Sequence, residues 1–569
     1  MQRAVEPSHS GGHSGALVLV LCIFFCGCPA SRPFLSLELS HSPSVAQQDL
    51  LELSFRHDGV YSNPFRDVSL DAVFHGPDGT AYRMEGFYWG KQIWRIRFRP
   101  AVAGVWRYRY SFRGGSGFHQ DGDGVVMVTA STGKRRRNGF PLRRDPGNPF
   151  RWLEPDNRLY FPVGLQDCVY VPSQGDEPSF QIDGGDRHKP SHREVSAKEY
   201  FRIYGEAGFN LFRFSQKNCS YLLQDSLERY REREGRITDR LLADAREHGF
   251  RVMFGIFGYH GGFYGDSYPR KLFGYFKARI WGHEEAIERP GDMATVALER
   301  QFVRYAIARW GAFTDFWELL NERHADDRWT GPMAEYVRSA DPFHRPVGTS
   351  WERPHLREID LHTPHWYESE HEHESDAVIR KMAARWKSHG KPVIAGEQGN
   401  TGMNWDARSA TRMRIRLWAS LFEEIGTIFW NVAWAKNGMF QGVYSPGQVA
   451  GIFLGPEERG YVRVLRDVAE TLDGDWRRLP VTTTEPAKVR GFGLSSKSAA
   501  VVYLHHFADH STAAQGVRVK LGEAVQVSRG RVAHWISPST GQRLEDGKQD
   551  ADGWFPAPPF PVDIALWIR

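Results

Sequence analysis

The chain has 569 residues, which is too many for one ordinary hydrophobic core, so we expect two to four domains. Hydrophobic residues make up 41% and charged residues 25%, an ordinary balance for a soluble globular protein. The formal net charge of +5 is small for this length, and no nucleic-acid-binding module is recognisable, so we expect no nucleic-acid partner.

The N-terminus has the pattern of a targeting segment. The apolar run from Ala16 to Phe25 is too short to span a bilayer comfortably. Gly27-Cys28 follows it and resembles the cleavage site of bacterial lipoproteins, although Phe25 stands where leucine is usual. We predict that residues 1–30 are a signal peptide. The mature protein is then exported and is extracellular, periplasmic or held at the cell surface by a lipid on Cys28, its only expected membrane contact.

Residues 45–133 alternate between apolar and polar side chains with a period of two. Trp94, Ile96 and Phe98 are interleaved with arginines, and so are the aromatic residues between 106 and 112. Successive side chains of a strand point to opposite faces, so this pattern predicts strands with one buried and one wet face. We expect an antiparallel β-sandwich here. The basic run from Lys134 to Arg137 follows it and is interpreted as a solvated linker rather than a site for an anionic partner.

Residues 145–478 alternate short apolar strands with amphipathic helices. One predicted helix carries Ile237, Leu241 and Ala245 and ends at Gly249. Eight such strand–helix units are typical of a (β/α)8 barrel. The predicted strands are Phe161–Gly164, Phe209–Phe214, Val252–Ile256, Phe316–Leu320, Pro346–Thr349, Ile359–His362, Val393–Gly396 and Thr427–Trp430.

Residues 479–569 return to a period of two, for example from Ala499 to Leu504 and from Ile564 to Ile568. The predicted fold is therefore α/β, a (β/α)8 TIM barrel flanked by an N-terminal and a C-terminal antiparallel β-sandwich domain. Cys168 and Cys219 lie near the ends of adjacent predicted strands, and either a disulfide or two free buried thiols fits the sequence.

Working residues of such barrels stand at the carboxyl ends of the strands. Strand two ends in Arg213, strand four in Asn321-Glu322, strand seven in Glu397 and strand eight in Trp430, and strand six leads into His365 and Tyr367. This set resembles glycoside hydrolase clan A, the retaining barrel glycosidases. That clan carries an Asn-Glu pair after strand four and a glutamate after strand seven. The flanking sandwiches more loosely resemble those of multidomain bacterial polysaccharide hydrolases.

The chemistry of glycoside hydrolysis fits the two glutamates. Retention needs one protonated and one ionised carboxyl group about 5 Å apart, and strands four and seven face each other across a barrel mouth. The resemblance implies that Glu322 is the acid/base and Glu397 the nucleophile. It implies that Arg213 and Tyr367 keep Glu397 ionised. It further implies that Asn321 binds a sugar 2-hydroxyl and that Trp430 lies under the cleaved sugar. His365 would complete the shell of side chains around strand six.

Each assignment has a structural alternative. Asn321-Glu322 alone could begin a helix, and Glu397 alone could be a loop carboxylate. Glu318 would point to the same face of a strand as Glu322, but it lies in mid-strand. It is therefore interpreted as a buried, paired structural acid. Trp434 and Tyr259 are candidate sugar contacts on predicted mouth loops, where ordinary packing would also explain them.

A histidine- and acid-rich segment follows strand six, from His365 to Asp376. It lacks a regular ligand spacing such as HExxH, so we interpret it as a solvated acidic loop that lines the cleft and expect no metal. The proposed chemistry needs no cofactor.

The preferred function is hydrolysis of O-glycosidic bonds in a poly- or oligosaccharide by double displacement. A catalytically inactive carbohydrate-binding barrel and a polysaccharide lyase are the alternatives. The sequence leaves the sugar, the endo or exo mode of action and the oligomeric state open.

Overall fold

The computed structural model describes residues 35–569 except 116, 132–139, 184–191, 217–219, 258–291, 322–324, 351, 367–369, 399–408, 432–453, 473–474, 498 and 523–531. Four predicted site residues, Tyr259, Glu322, Tyr367 and Trp434, and also Cys219 and the predicted signal peptide, lie outside the described residues. Among the helices that are described, none is both long and apolar enough to cross a membrane.

The N-terminal region forms two sheets packed face to face, with strand orders β1-β3-β7-β6 and β2-β9-β8-β4-β5. Their shared core is rich in aromatic residues, including Trp94, Trp106 and Phe112. The strands are β1 Leu37–Ser40, β2 Ser44–Ala46, β3 Leu51–His57, β4 Val68–His75, β5 Ala81–Glu85, β6 Phe87–Gly90, β7 Ile93–Phe98, β8 Gly104–Gly114 and β9 His119–Thr129.

The prediction of one wet face holds for β8 but is wrong for β7. In β8 the arginines are exposed, whereas Arg97 of β7 and the following Arg99 are buried. Arg97 donates to Asp239 over 2.8 Å and to the carbonyl of Arg309 over 2.7 Å. The outer face of this sheet therefore packs on barrel helices, and buried ion pairs replace the expected contact with water.

Three short strands close the bottom of the barrel. These are β10 Arg143–Arg144, β11 Trp152–Leu153 and β12 Leu159–Tyr160. Trp152 and Tyr160 pack on apolar residues at the starts of barrel strands, among them Leu211 and Phe316. The amino-terminal face of the barrel is thus filled, which leaves the carboxyl-terminal face for chemistry.

The eight predicted barrel strands are confirmed, and they form a closed parallel barrel. Consecutive strands pair in order, and the eighth pairs with the first. The barrel strands one to eight are β13 Val163–Gln166, β16 Leu211–Ser215, β17 Arg251–Gly255, β18 Phe316–Glu318, β19 Val347–Thr349, β20 Leu361–His362, β22 Val393–Gln398 and β23 Ile425–Trp430. A hairpin follows the first strand, β14 Ser179–Asp183 with β15 His192–Ser196, and β21 His365–Trp366 extends the sixth position.

Amphipathic helices cover the outside of the barrel. Ile237, Leu241 and Ala245 of α2 are fully buried, and Gly249 beyond its end has a φ of 90°, which favours glycine. The helices are α1 Ala197–Glu206, α2 Glu232–Glu247, α3 Met293–Trp310, α4 Asp327–Ala340, α5 Ser375–Lys387, α6 Ser409–Glu423 and α7 Pro456–Ala469, with a 3-10 helix at Glu372–Glu374.

The C-terminal region again forms two antiparallel sheets, β24-β26-β27-β32-β29-β30 and β25-β28-β31. It packs on α6, where the rings of Trp418 and Tyr503 stack at 5.2 Å and Arg414 donates to Asp563 over 2.9 Å. The strands are β24 Arg477–Arg478, β25 Val481–Thr483, β26 Val489–Ser495, β27 Ala500–His506, β28 Arg518–Leu521, β29 Ala533–Ile536, β30 Arg543–Asp546, β31 Phe555–Pro556 and β32 Asp563–Ile568.

Candidate active site

A buried arginine joins the ends of several barrel strands. Arg213 of β16 is completely buried, and its Nη1 donates to Oε1 of Glu397 on β22 over 2.6 Å. Nε donates to Oε2 of Glu318 on β18 over 2.8 Å. Arg213 lies in the middle of its strand rather than at the end, because β16 continues to Ser215.

The remaining donors of Arg213 are also engaged. Nη1 donates to the side-chain oxygen of Gln166 on β13 as well, and Nη2 donates to Oδ1 of Asn321 over 2.5 Å and lies 2.7 Å from Glu318. A guanidinium has five N–H donors in a rigid fork, and each faces an acceptor here. One side chain thus fixes groups from barrel strands one, four and seven to strand two.

The charges reinforce this arrangement. Burial opposes the charge on Arg213, but the attraction of Glu318 and Glu397 outweighs it and raises the pKa of the guanidinium above its usual value. Arg213 is therefore a permanent positive charge beside Glu397. A neighbouring positive charge favours the ionised form of a carboxyl group.

A β-bulge presents Glu397. Strand β22 advances three positions from Ala395 to Gln398 while β23 advances two from Thr427 to Phe429, so β22 contains one extra residue at Gly396-Glu397. A bulge turns a side chain away from the regular alternation of a strand, and bulges are frequent beside active sites.

Two further side chains close a polar ring around Glu397. Nδ1 of His365 lies 3.4 Å from Oε2 of Glu397, and its Nε2 lies 3.0 Å from Oγ of Ser350. Ser350 in turn donates to Oε1 of Glu318 over 3.3 Å. The ring runs from Glu397 through His365, Ser350, Glu318 and Arg213 back to Glu397. Glu318 is buried and paired, as its position in the sequence suggested.

Asn321 offers a donor to a ligand. Its Oδ1 accepts from Arg213, which orients the amide, while its buried Nδ2 has no hydrogen-bond partner among the described residues. An amide held in this way leaves two N–H bonds available. A buried polar group without a partner is costly, so a polar ligand group at this position would stabilise the site.

Trp430 ends β23 and is half-buried, and the residue after it is held firmly. Asn431 donates to Oδ2 of Asp167 over 3.0 Å and to the hydroxyl of Tyr204 over 3.1 Å, and its Oδ1 accepts from the amide of Leu454. Burial raises the pKa of Asp167 well above its usual range, against the opposing effect of its hydrogen bonds. This network fixes the end of strand eight next to strand one.

The structure brings Arg213, Asn321, His365 and Glu397 together around one ring and places Trp430 at the end of the eighth strand. Cys168 beside Asp167 is disulfide-bonded, and its predicted partner Cys219 lies outside the described residues.

Gln166 and Ser350 were not among the site residues predicted from the sequence. Both stand at or beside the carboxyl end of a barrel strand, Gln166 at the end of the first and Ser350 directly after the fifth. The rule that identified Arg213 and Glu397 would have found them had it been applied to all eight strands. Asp167 and Asn431 follow strands one and eight and carry the same signal.

The prediction of a solvated acidic loop after strand six is wrong. Glu370 binds Arg416, Glu372 is 6% exposed, and Asp376 is completely buried against Arg490. The C-terminal sheet and α6 cover this segment. Its acids are therefore paired with basic residues from distant parts of the sequence, which the local sequence pattern could not place beside them.

Comparison with known proteins supports the fold. Residues 44–113 match the family described as Domain of unknown function (DUF5060). No curated protein matches the chain. A solved structure of a candidate glycoside hydrolase from Bacteroides vulgatus is 18% identical, with a TM-score of 0.60, over 93% of this chain and 99% of that one.

Two other solved structures resemble the chain more weakly. A GH5 xyloglucanase from Bacteroides ovatus is 11% identical over 70% of this chain and 94% of that one, with a TM-score of 0.31. A tri-modular GH5 endo-β-1,4-glucanase from Bacillus licheniformis is 13% identical over 71% of each chain, with a TM-score of 0.36. At these identities the likeness to all three structures concerns the fold alone.

Proposed function

We propose that this protein is a retaining glycoside hydrolase that cleaves O-glycosidic bonds in a poly- or oligosaccharide, with Glu397 as nucleophile and Glu322 as acid/base. The observation that carries the proposal is the setting of Glu397. It is the penultimate residue of the seventh strand of a closed barrel, a bulge presents it, and Arg213 holds its Oε1 over 2.6 Å.

In the first step the carboxylate of Glu397 attacks the anomeric carbon. The bond to the leaving oxygen breaks, and that oxygen takes the proton of Glu322. In the second step Glu322 removes a proton from water, water attacks the same carbon, and the bond to Glu397 breaks. The carboxylate of Glu397 must be ionised at the start, and the charge of Arg213 favours this state.

The other predicted residues position the sugar in this proposal. Nδ2 of Asn321 donates to the 2-hydroxyl, a contact that strengthens in the transition state. The indole of Trp430 lies under the sugar ring. Tyr367 supports Glu397, and Trp434 and Tyr259 contact the substrate from the mouth of the barrel.

A screen against plant and algal polysaccharides and aryl glycosides, with the purified full chain, tests the proposal. We expect wild-type cleavage, and a first product, observed by NMR, with the anomeric configuration of the substrate. Glu397→Gln and Glu322→Gln should each lower kcat by several orders of magnitude while the variants remain folded. An inverted first product would refute retention, and equal cleavage by Glu397→Gln would refute the assigned nucleophile.

The same experiment separates the alternative functions. A binding protein would retain the polysaccharide without cleaving it, and a lyase would release products with the absorbance of an unsaturated uronate. A lyase needs a group that neutralises the uronate, and Arg213 was its candidate. Since Arg213 is completely buried and its donors face protein acceptors, it is not available for that contact.

We also propose that the protein acts outside the cytoplasm, as the N-terminal pattern indicates, with domains at 45–133, 145–478 and 479–569. Cell fractionation tests the location, and labelling with a radioactive fatty acid, compared between wild type and Cys28→Ser, tests lipidation.

A further inference from the structure

A second cluster of chemically active side chains lies between the barrel and the C-terminal sheets. We call it the junction cluster, and it comprises His371, Glu372 and His373 from the segment after barrel strand six and His505 and His510 from the C-terminal region. None of these residues belongs to the ring around Glu397.

Three neighbouring residues form the core of the junction cluster. Each of His371, Glu372 and His373 offers a ligand atom, and these atoms lie within 4.8 Å of one another. Nδ1 of His371 is 3.4 Å from Oε2 of Glu372, and Nε2 of His373 is 3.9 Å from Oε1. The carboxylate therefore lies between two imidazole rings.

His510 approaches the same carboxylate from the C-terminal region. Its Nδ1 lies 4.0 Å from Oε1 of Glu372, and its ring centre is 3.9 Å from that of His373. Two chain segments far apart in sequence thus direct imidazole nitrogens at one carboxylate group.

A second layer orients His510. Its Nε2 lies 3.1 Å from Nε2 of His505, and Nδ1 of His505 lies 3.0 Å from Oδ1 of the buried Asp376. Asp376 therefore contacts His505, and His505 in turn contacts His510. Metal ligands are commonly oriented by such histidine and carboxylate partners.

The imidazole nitrogens around Glu372 lie close to the spacing of ligands around a tetrahedral ion. Around zinc, ligands at about 2.0–2.1 Å are separated from one another by about 3.4 Å. The distances from Glu372 run from 3.4 to 4.0 Å, so the longest exceeds this spacing by about 0.6 Å, a change that side-chain rotation supplies. Imidazole nitrogens with one carboxylate are a ligand set suited to zinc.

We propose that His371, Glu372, His373 and His510 bind a zinc ion that joins the barrel to the C-terminal sheets. Arg490 supports the arrangement, because it donates to Asp376 over 2.6 Å and to the carbonyl of His373 over 2.7 Å. The ion would have a structural role, since four protein ligands complete a tetrahedral site. The site is independent of the proposed glycosidase chemistry.

Calorimetric titration of the metal-free full chain with Zn²⁺ tests the proposal, with the melting temperature as a second readout. We expect one high-affinity ion per chain and a melting temperature that rises on binding. His505→Gln should weaken binding about 10–100-fold, as the loss of an orienting partner does, and His510→Gln should weaken it more. Cobalt in place of zinc should give the intense visible absorption of a tetrahedral site.

His534→Gln is the matched control, because His534 lies in the same C-terminal sheet beside Asp546 and should leave binding unchanged. If His510→Gln disturbs folding, which the metal-free melting temperature reveals, His371→Gln decides, since the side chain of His371 is 48% exposed. Absence of zinc binding, or equal affinity in wild type and in both ligand variants, would overturn the proposal.

Discussion

The Nη1 atom of Arg213 donates to Oε1 of Glu397 over 2.6 Å, and the two side chains are 0% and 5% exposed. Because the same guanidinium also binds Glu318, the position of Glu397 depends on an acid of strand four. His365 and Ser350 complete the path from Glu397 back to Glu318. The candidate nucleophile is thus held from two sides by groups that have no direct contact with substrate in the proposed mechanism.

Arg213→Lys keeps the positive charge at this position, but it should still reduce activity strongly. Lysine offers three donors on a flexible stem, so it cannot replace the five-donor fork that binds four side chains. We expect kcat to fall on the order of 100-fold, the effect of displacing a reacting group by about 1 Å. Steady-state kinetics measure this, and urea denaturation should show a loss of about 1–3 kcal/mol. Arg202→Lys, on the exposed face of α1, should change neither quantity.

Glu318→Gln tests whether Glu318 stabilises the site without taking part in catalysis. Glutamine keeps the shape and one acceptor but removes a buried charge opposite Arg213, so we expect the free energy of unfolding to fall by about 1–3 kcal/mol. Because Glu318 does not touch substrate in the proposed mechanism, kcat should stay within about tenfold of wild type. Glu397→Gln removes a buried charge from the same guanidinium, so it should lose a similar amount of stability but nearly all activity. If Glu318→Gln is inactive with unchanged stability, Glu318 has a direct catalytic role.

Gly396→Ala should disturb the bulge that presents Glu397. An added Cβ would lie 3.1 Å from the carbonyl oxygen of Thr363 and 3.2 Å from its Cβ, which is tighter than ordinary contact. The strand must then shift, and Glu397 with it. We expect a loss of about 1–3 kcal/mol from overpacking and a fall in kcat on the order of 100-fold.

Gly460→Ala is the control for this substitution. Gly460 lies within α7, and an added Cβ would meet no atom within 4 Å. Alanine in a helix interior is more stable than glycine by about 0.5–1 kcal/mol, so this variant should melt slightly higher and keep full activity. Equal kinetics for both glycine variants would argue against a role for the bulge.

The barrel could be predicted from the sequence because strand and helix periods alternate regularly, and the residues at strand ends then follow from topology. Arg213, Asn321 and Glu397 were found in this way. The contacts between regions could not be predicted. Arg97 resembles any solvent-facing arginine of an alternating strand, and only the packing of its sheet on α2 and α3 shows that it is buried against Asp239.

The segment after strand six illustrates the same limit. Its histidines and acids have no local regularity, so the sequence favoured a solvated loop. The chain returns with His505 and His510 more than 100 positions later, and they give Glu372 and Asp376 their partners. Charged clusters at domain junctions cannot be predicted from the periodicity and spacing of residues, because the members of such a cluster come from distant parts of the sequence.

His362 should make stability depend on pH. It is 2% exposed in barrel strand six, and neither ring nitrogen has a hydrogen-bond partner among the described residues. Burial, with the nearby charges of Lys391 and His389, lowers the pKa of His362 from 6.5 to about 4. Between these two values the unfolded chain binds a proton that the folded chain does not, so stability present at neutral pH is lost as the pH falls from 6.5 to 4.

The full difference corresponds to about 3 kcal/mol. His362→Leu removes the titration, so its free energy of unfolding, measured by urea denaturation at a series of pH values, should fall less than that of wild type between pH 6.5 and 4. His119→Leu is the control, because His119 is half exposed beside Asp121 and its loss should leave the wild-type slope in place. Parallel pH profiles for wild type and His362→Leu would show that His362 does not set the acid stability, since every other titratable group is common to both proteins.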